Sequence, residues 1–260
     1  MVVNDTLAGR HALVTGGGRG IGAAIARALL AKGARVTITG RSREPLNATV
    51  AELSILGEID CVTMNVTSAA SVAQAFAAAQ ARFGPVAVLV NNAGQAAASP
   101  FLKTDEALWQ QMLAVNLTGT WHCIQAALPA MLEARWGRIV NVASTAGLKA
   151  YPYVSAYCAA KHGVVGLTRS LALEVASKGI TVNAVCPGYT DTDIVREAVA
   201  NIVARTGRSE EQALLELSAT NPQRRLVQPE EVANAVAWLC MPGAAAMNGQ
   251  SVAVAGGEVM

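Results

Sequence analysis

Short β-type segments alternate with longer helical ones along the whole of this 260-residue chain. The repeated order of strand, helix and strand predicts right-handed βαβ units, which build a parallel sheet with helices on both of its faces. The predicted strands are residues 11–15, 35–39, 60–65, 86–91, 138–143, 181–186 and 251–255. The predicted helices between them are residues 21–32, 45–56, 69–83, 105–135, 155–178 and 229–240.

No linker or low-complexity stretch interrupts the alternation, so we expect one α/β domain over residues 1–260. Residues 189–227 break the rhythm, because this connection after the sixth strand is far longer than usual and has helical patterns of its own at 191–206 and 209–218. Open α/β sheets bind ligands at this end of their strands, which predicts a helical substrate lid. A purely structural insertion is the alternative.

A composition that is 52% hydrophobic and only 15% charged supports a large buried core, and a net charge of +2 offers no attraction to nucleic acid or to an anionic membrane. No apolar run has the length of a membrane span or of a signal-peptide core, so a cytoplasmic location is expected. The five cysteines and three histidines have no ligand spacing. They predict reduced core thiols and structural histidines, with no metal site.

A glycine-rich turn, TGGGRGIG at residues 15–22, joins the first strand to the first helix. Glycines allow a tight turn and a close approach of the backbone to a pyrophosphate, and the helix N-terminus offers free N–H groups and a favourable dipole. A glycine-rich turn alone is weak evidence, but its position between a strand and a helix makes it specific for a dinucleotide. These features predict a Rossmann-type, doubly wound sheet of seven strands.

Further motifs follow this turn in a fixed order. They are NNAG at residues 91–94, Asn116 in the next helix, Ser144 after the fifth strand, YCAAK at 157–161, and Pro187-Gly188 with Thr192 after the sixth. Together with the TGxxxGxG turn they resemble the short-chain dehydrogenase/reductase family over about residues 11–257, and in particular its 3-oxoacyl thioester reductases and 3-hydroxyacyl-CoA dehydrogenases. The resemblance implies an oxidoreductase acting on CH–OH groups with a nicotinamide cofactor.

The resemblance also assigns site residues. It implies a catalytic set of Asn116, Ser144, Tyr157 and Lys161, in which Asn116 holds a water that links Lys161 to solvent. It implies a cofactor site formed by Gly16, Arg19, Gly20, Ile21, Gly22, Arg41, Ser42, Asn65, Val66, Asn91, Ala93, Gly94, Tyr157, Lys161, Pro187, Gly188, Thr190 and Thr192. Asn65 stands where many members of the family carry Asp beside the adenine, and an amide can still bond to a base edge.

The end of the second strand indicates which nicotinamide cofactor is used. An acidic residue there binds the ribose 2′-hydroxyl of NAD, whereas Arg accommodates the 2′-phosphate of NADP. This chain has Arg41-Ser42-Arg43 and no carboxylate, and Arg41 can make charge-assisted bonds to a phosphate, with Arg19 helping from the glycine turn. NADP(H) is therefore favoured over NAD(H), with solvated loop arginines as the alternative.

The spacing of Tyr157 and Lys161 places both side chains on one face of a helix, about one turn apart. A free Tyr has a pKa near 10, and a nearby ammonium should lower that pKa by favouring the phenolate. Ser144 can then hydrogen-bond the substrate oxygen and stabilise the charge that develops on it. Cys158 is expected to point away from this face and to pack.

The substrate is indicated only by the resemblance, which implies an acyl-CoA or acyl-carrier thioester. The predicted lid mixes apolar Val195 and Val199 with basic Arg196 and Arg208, which could cover an acyl chain and meet an anionic carrier, although packing of the lid on itself explains the mix equally well. Arg138 and Lys178 are predicted to be solvated surface charges.

Other functions stay open. An alcohol, polyol or steroid dehydrogenase is the alternative on the same scaffold, and a cofactor-sensing regulatory protein is the alternative outside enzymes. The resemblance further implies a homotetramer with D2 symmetry, in which helices 105–135 and 155–178 pair across a two-fold axis and the C-terminal segment 249–260 forms a second interface.

Overall fold

The computed structural model describes residues 6–260, apart from the side chains of residues 194, 198, 201 and 205. Its seven strands form one parallel sheet in the order β3-β2-β1-β4-β5-β6-β7. The strands are β1 (His11–Thr15), β2 (Arg35–Gly40), β3 (Ile59–Thr63), β4 (Val86–Asn91), β5 (Gly137–Val142), β6 (Ile180–Pro187) and β7 (Ser251–Val254). The predicted doubly wound, seven-stranded sheet is confirmed, with strand ends shifted by one or two residues.

Nine helices are described alongside the sheet in residues 6–260. They are α1 (Gly20–Ala31), α2 (Arg43–Leu53), α3 (Ala69–Phe83), α4 (Glu106–Leu113), α5 (Gly119–Ala134), α6 (Ser155–Val175), α7 (Asp193–Thr206), α8 (Glu210–Ser218) and α9 (Pro229–Cys240). None of them is long and apolar enough to cross a membrane.

The core has two layers because successive strand residues face opposite sides of the sheet. Ala12 and Val14 of β1 pack with α1, α2 and α9 on one face. Leu13, between them, packs on the other face, in the cluster that also holds buried residues of α3, α5 and α6. β1 and β4 are neighbours in the middle of the sheet. β2 and β3 follow on the side of β1, and β5, β6 and β7 follow on the side of β4, so the strand order reverses between β1 and β4. Ligands of such sheets bind in the crevice at that point, beyond the carboxyl ends of the strands.

The helix predicted for residues 105–135 is interrupted. α4 and α5 are joined by a π-helical turn, Ala114–Thr118, and Asn116 lies buried in that turn. The side-chain amide of Asn116 donates to the backbone carbonyl of Met112, 3.0 Å away. The backbone carbonyl of Asn116 accepts from the hydroxyl of Thr120. Such one-turn π segments are frequent at functional sites, and this one turns Asn116 inward.

The prediction that Arg138 is a solvated charge is wrong. Only 3% of Arg138 is exposed, at the amino end of β5. Its guanidinium donates to the carbonyls of Gly137 and Gly179 and stacks on Trp136, with its central carbon 4.6 Å from the ring centroid. Backbone carbonyls and an aromatic face replace the water that a buried cation would otherwise need. Lys178 is exposed as predicted.

Candidate active site

The glycine-rich turn has the backbone geometry that a phosphate cradle requires. Gly16 and Gly20 have φ angles of +67° and +52°, which glycine adopts without strain. A Cβ at Gly22 would lie 2.1 Å from the carbonyl oxygen of Gly16, so only glycine fits there. No side chain caps the first turn of α1, so the N–H groups of that turn are available to an anion. Ile21 is the second residue of this turn.

A second loop holds the glycine turn from outside, and sequence reasoning missed its central residue, Asn92. The Asn92 amide donates to the carbonyls of Thr15 and Gly16, at 3.0 and 3.1 Å. In return, the Thr15 hydroxyl accepts from the backbone N–H groups of Asn92 and Ala93, both at 2.9 Å. The NNAG segment therefore fixes the shape of the turn. The signal was visible in the motif, but only its flanking residues were assigned to the cofactor site.

A cavity of about 350 Å³ opens beside the ends of β2 and β3. Its walls include the predicted Arg41 and Asn65, together with Met64. Arg41 is exposed and takes part in no ion pair in the described part of the chain. Ser42 precedes α2 with an exposed side chain that does not cap the helix. An unpaired cation and a hydroxyl at a helix start are the groups that would meet a phosphate.

The side of this cavity that carries Asn65 is ordered by short-range bonds. The Asn65 side-chain oxygen accepts from the N–H and the hydroxyl of Thr67, at 3.2 and 3.0 Å. Val66 is nearly buried, and its carbonyl accepts from the ring of His122. Since Asn65 is exposed and its oxygen is already engaged, its NH₂ group remains as the donor to a base edge.

The structure does not place Arg19 in that cavity. Its guanidinium lies 3.2 Å from a carboxylate oxygen of Asp193, at the start of α7, and both side chains are largely exposed. Arg196 also contacts Asp193 and Asp191. The attraction between Arg19 on the glycine turn and Asp193 on the predicted lid accounts for the position of the Arg19 side chain. Arg19 can reach a phosphate only by exchanging its partner.

The remaining cofactor candidates lie across the ends of β4 and β6. Asn91 is buried and donates to the side-chain oxygen of Asn141 on β5, 2.9 Å away, while its own side-chain oxygen is buried without a partner. Pro187 ends β6, and the buried Thr190 donates to the Gly188 carbonyl. Thr192 occupies the N-cap position of α7 without a capping bond from its side chain, and it lies against the glycine turn, since a Cβ on Gly20 would be 3.3 Å from its methyl group. The two halves of the predicted cofactor site therefore face each other.

Asn116 and Lys161, two of the four predicted catalytic residues, are brought together in the interior. Asn116 is 1% exposed, with its amide donating to the carbonyl of Gln95 and its oxygen accepting from the N–H of Gln95. Lys161 is 5% exposed and donates to the carbonyl of Val142 at 2.9 Å. Gly94 lies between them, because a Cβ there would be 2.9 Å from the Asn116 side-chain oxygen and 3.7 Å from the Lys161 ammonium.

The other two catalytic candidates face each other at the mouth of the site. Ser144 precedes a short 3-10 turn and accepts from the N–H of Ala146 at 3.1 Å, so its own O–H is available to donate, and the Tyr157 hydroxyl lies within its reach. Tyr157 lies in the first turn of α6, where the residue as a whole is partly exposed but its hydroxyl is buried. The Lys161 ammonium is 5.6 Å from the centroid of its ring. Cys158 is partly buried beside it, and all five cysteines are free thiols.

The electrostatics differ from the expectation that Lys161 lowers the pKa of Tyr157. Burial raises the pKa of the Tyr157 hydroxyl to about 12, and a hydrogen bond with Ser144 offsets only part of that rise. Burial likewise lowers the pKa of Lys161 to about 8. Desolvation dominates because the Tyr157 hydroxyl and the Lys161 ammonium are both withdrawn from water. Tyr157 is therefore held protonated at neutral pH, the state of a proton donor.

These positions can do a defined piece of chemistry. A carbonyl oxygen placed between the Ser144 and Tyr157 hydroxyls would meet two donors, and the phenolate left after proton transfer would lie next to the Lys161 ammonium. The glycine cradle, the Arg41 cavity and the Pro187-Gly188 loop lie along the carboxyl end of the sheet, where such folds bind their ligands. Among the described residues, no cluster of three or more His, Cys, Asp or Glu is placed to hold a metal ion.

Comparison with known proteins agrees with this geometry. The family model for short chain dehydrogenase matches residues 10–202, and the chain belongs to that family. It is accordingly an oxidoreductase that uses a nicotinamide cofactor to interconvert a carbonyl and an alcohol. The family predicted from the ordered motifs is confirmed.

Individual relatives are similar over nearly their whole length. A crystal structure of a variant of actinorhodin polyketide ketoreductase with NADPH superposes with a TM-score of 0.93 at 42% identity, covering 99% of each chain. D-beta-hydroxybutyrate dehydrogenase of Rhizobium meliloti is 37% identical, covering 95% of this chain and 98% of that protein. The 3-oxoacyl-acyl-carrier-protein reductase of Vibrio cholerae is 38% identical, covering 98% and 99%.

Proposed function

We propose that this protein is an NADPH-dependent reductase of 3-oxoacyl thioesters. The observation that carries the proposal is the set of Asn116, Ser144, Tyr157 and Lys161 at the carboxyl end of the sheet, in which the Ser144 and Tyr157 hydroxyls lie within hydrogen-bonding reach of each other. Relatives whose names specify ketoacyl or 3-oxoacyl reduction support the substrate class.

In this mechanism the protein positions the ketone and supplies its proton. The Ser144 hydroxyl donates to the substrate oxygen and stabilises the negative charge that grows there. Bound NADPH supplies the hydride. Tyr157 gives its proton to the same oxygen, and Lys161 stabilises the resulting phenolate by its charge. Asn116 holds the loop at Gln95 in place, and a water bound beside Asn116 would link Lys161 to solvent, as the family resemblance implies.

NADPH rather than NADH is proposed on the charge at the adenosine end. Arg41 is exposed and free of ion pairs in the described residues, beside the cavity that would take the adenosine. A 2′-phosphate placed there would gain a charge-assisted bond that the 2′-hydroxyl of NADH cannot make. The actinorhodin ketoreductase structure contains NADPH, which agrees with this assignment for a related protein.

We also propose that residues 1–260 act as one domain with residues 189–227 as its lid. α7 and α8 have a small core of their own, formed by Val195, Val199 and Ala213, apart from the two large sheet clusters. Val195 and Val199 thus pack within the lid. This agrees with the alternative interpretation, in which the apolar residues of the lid pack on each other and do not cover an acyl chain. Arg208 pairs with Glu216 of α8. The lid is therefore a self-supporting unit that can move as one piece.

A tetramer is proposed from apolar side chains left at the surface of the helices. Trp121 of α5 is 46% exposed, Leu173 of α6 is 82% exposed and Trp238 of α9 is 49% exposed. Trp121 and Leu173 lie on one side of the sheet and Trp238 lies on the other, and large exposed apolar groups of this kind mark contacts between copies. Light scattering should give a mass of about four chains of 26.8 kDa, and Leu173→Glu should shift it to smaller species. A monomer mass for the unaltered protein would overturn the assembly proposal.

A substrate panel tests the function itself. NADPH oxidation would be followed with 3-oxohexanoyl-CoA, acetoacetate, cyclohexanone and a ketosugar, each with NADH in parallel. The expected result is the highest kcat/KM for the thioester with NADPH. A preference for acetoacetate or for a simple ketone would overturn the thioester assignment, and tight NADPH binding without turnover of any carbonyl would favour a cofactor-sensing protein.

A further inference from the structure

A buried carboxylate lies close to the proposed substrate site, although none of the motifs contains it. Only 1% of the Glu258 side chain is exposed, and one of its oxygens is 3.0 Å from the Lys149 ammonium. The same oxygen is 2.6 Å from the Tyr151 hydroxyl. The Lys149 ammonium also lies 4.9 Å from the centroid of the Tyr151 ring. Together with Thr145, these residues are called the Glu258 network.

The Glu258 network is attached to the loop that carries Ser144. The Tyr151 hydroxyl is 2.7 Å from the hydroxyl of Thr145, the residue after Ser144. A phenol has one proton, and the carboxylate is the stronger acceptor, so Tyr151 donates to Glu258 and accepts from Thr145. Burial and this bond raise the pKa of Tyr151 above its usual range. The Glu258 carboxylate is thus linked through Tyr151 and Thr145 to the loop that carries Ser144.

The other side of the network meets the loop after β6. A Cβ on Gly188 would lie 3.0 Å from the second oxygen of Glu258. The rings of Tyr151 and Tyr189 pack edge to face with centroids 6.4 Å apart. Tyr189 in turn lies close enough to Tyr157 to contribute to its raised pKa. The Glu258 network therefore spans the space between the Ser144 loop and the Gly188 loop, beside the reacting centre.

A buried ion pair fills this space at a cost in desolvation free energy. Burying a carboxylate and an ammonium costs free energy of desolvation, and well-packed apolar residues would serve at least as well next to an alkyl chain. The Lys149 side chain is 34% exposed, and its contact with Glu258 uses one of the three ammonium hydrogens. The pair thus holds a partly solvated donor at a fixed place near the catalytic loop.

We propose that Lys149, held in place by Glu258 and Tyr151, recognises an oxygen acceptor on the substrate chain beyond the carbonyl that is reduced. This inference rests on the proposed thioester reductase function and narrows its substrate class. The preferred substrate is a 3-oxoacyl thioester that carries a second carbonyl or its enolate, and not one with a plain alkyl chain. Lys149 is a specificity-determining residue, while Glu258 and Tyr151 position it.

Two thioesters of N-acetylcysteamine with matched chain length test this. They are the 3-oxohexanoyl and the 3,5-dioxohexanoyl compounds, which differ by one carbonyl. The unaltered protein should show at least a tenfold higher kcat/KM for the dioxo compound, about the effect of one hydrogen bond to a charged donor. A ratio near one would overturn the proposal. Reduction of neither compound would instead overturn the thioester reductase function on which it rests.

The double variant Lys149→Met/Glu258→Met removes both charges together, so neither is left buried and unpaired. Such replacements usually fold well. The kcat/KM ratio of the dioxo to the oxo compound should fall to about one, whereas a merely structural role would lower both values equally and keep the ratio. Lys178→Met/Glu58→Met, a matched change at two exposed positions, should keep the ratio of the unaltered protein. A double variant at 149 and 258 that retains the preference would refute the assignment.

Discussion

The two ends of the proposed cofactor site are built differently. At the catalytic end, Asn116 and Lys161 are almost fully buried, and backbone carbonyls fix both side chains. At the adenosine end, Arg41 is exposed and forms no ion pair within the described residues, and no backbone group of the protein is seen to fix it. Proton transfer requires groups that are already in place, whereas choice between two cofactors requires only a charge within reach. Changes at the buried end should therefore have larger effects than changes at the exposed end.

The largest effect is expected for Tyr157→Phe, which removes the proton donor and leaves the ring. Turnover of 3-oxohexanoyl-CoA should fall by about 10³-fold or more, within the range for loss of a general acid. The dissociation constant of NADPH, from fluorescence titration, should change less than threefold. Tyr153→Phe is the matched control, because Tyr153 is 65% exposed near the start of the same helix. Near-normal turnover by Tyr157→Phe would refute the mechanism.

The next effect tests how tightly the buried end is packed. A Cβ at Gly94 would lie 2.9 Å from the Asn116 side-chain oxygen, so Gly94→Ala must displace the amide or the loop. Since a misplacement of about 1 Å in a catalytic group can cost up to about 10²-fold, kcat should fall by about tenfold to a hundredfold.

Gly166→Ala is the matched control for Gly94→Ala. Nothing lies within 4 Å of a Cβ at this exposed position in α6. It should leave kcat unchanged and stabilise the fold by about 0.5–1 kcal/mol in urea unfolding, because alanine is the better helix residue. A normal kcat for Gly94→Ala would show that the buried end tolerates displacement.

At the exposed end, Arg41→Asp should raise the NADPH dissociation constant by at least tenfold, because a carboxylate repels the 2′-phosphate. Binding of NADH should weaken little or improve. Arg43→Asp makes the same charge change two residues on, outside the cavity wall. Equal losses in both variants would point to general charge attraction and count against a specific contact by Arg41.

The smallest effect is a pH dependence. With a pKa of about 8, Lys161 is charged below that pH and neutral above it, so kcat/KM for NADPH should be level at pH 6.5–7.5 and fall above about pH 8. Tyr157, with a pKa of about 12, stays protonated throughout. If bound NADPH favours the charged form of Lys161, the pH at which kcat begins to fall should be higher than the pH at which kcat/KM begins to fall. A level profile to pH 9.5 would contradict the lowered pKa of Lys161.

Local features of the sequence were the predictable ones. The glycine turn and the helical spacing of Tyr157 and Lys161 depend on neighbours in the chain, and the alternation of strands and helices specified the sheet. The contacts that were missed join distant segments. Arg19 meets Asp193 across 174 positions and Tyr151 meets Glu258 across 107. Similarly, the burial of Arg138 depends on Trp136 and a distant carbonyl, and the rise in the pKa of Tyr157 depends on solvent exclusion, which spacing does not encode.

The bonds between Asn92 and the glycine turn bear on the order of folding. Thr15 and Asn92 are 77 positions apart, yet each supplies hydrogen bonds that the other segment needs. The first strand and helix alone therefore lack the partner that shapes their turn, and about the first ninety residues must be present before it is complete. During synthesis, a dinucleotide that binds the completed turn can stabilise the chain only after β4 has paired with β1.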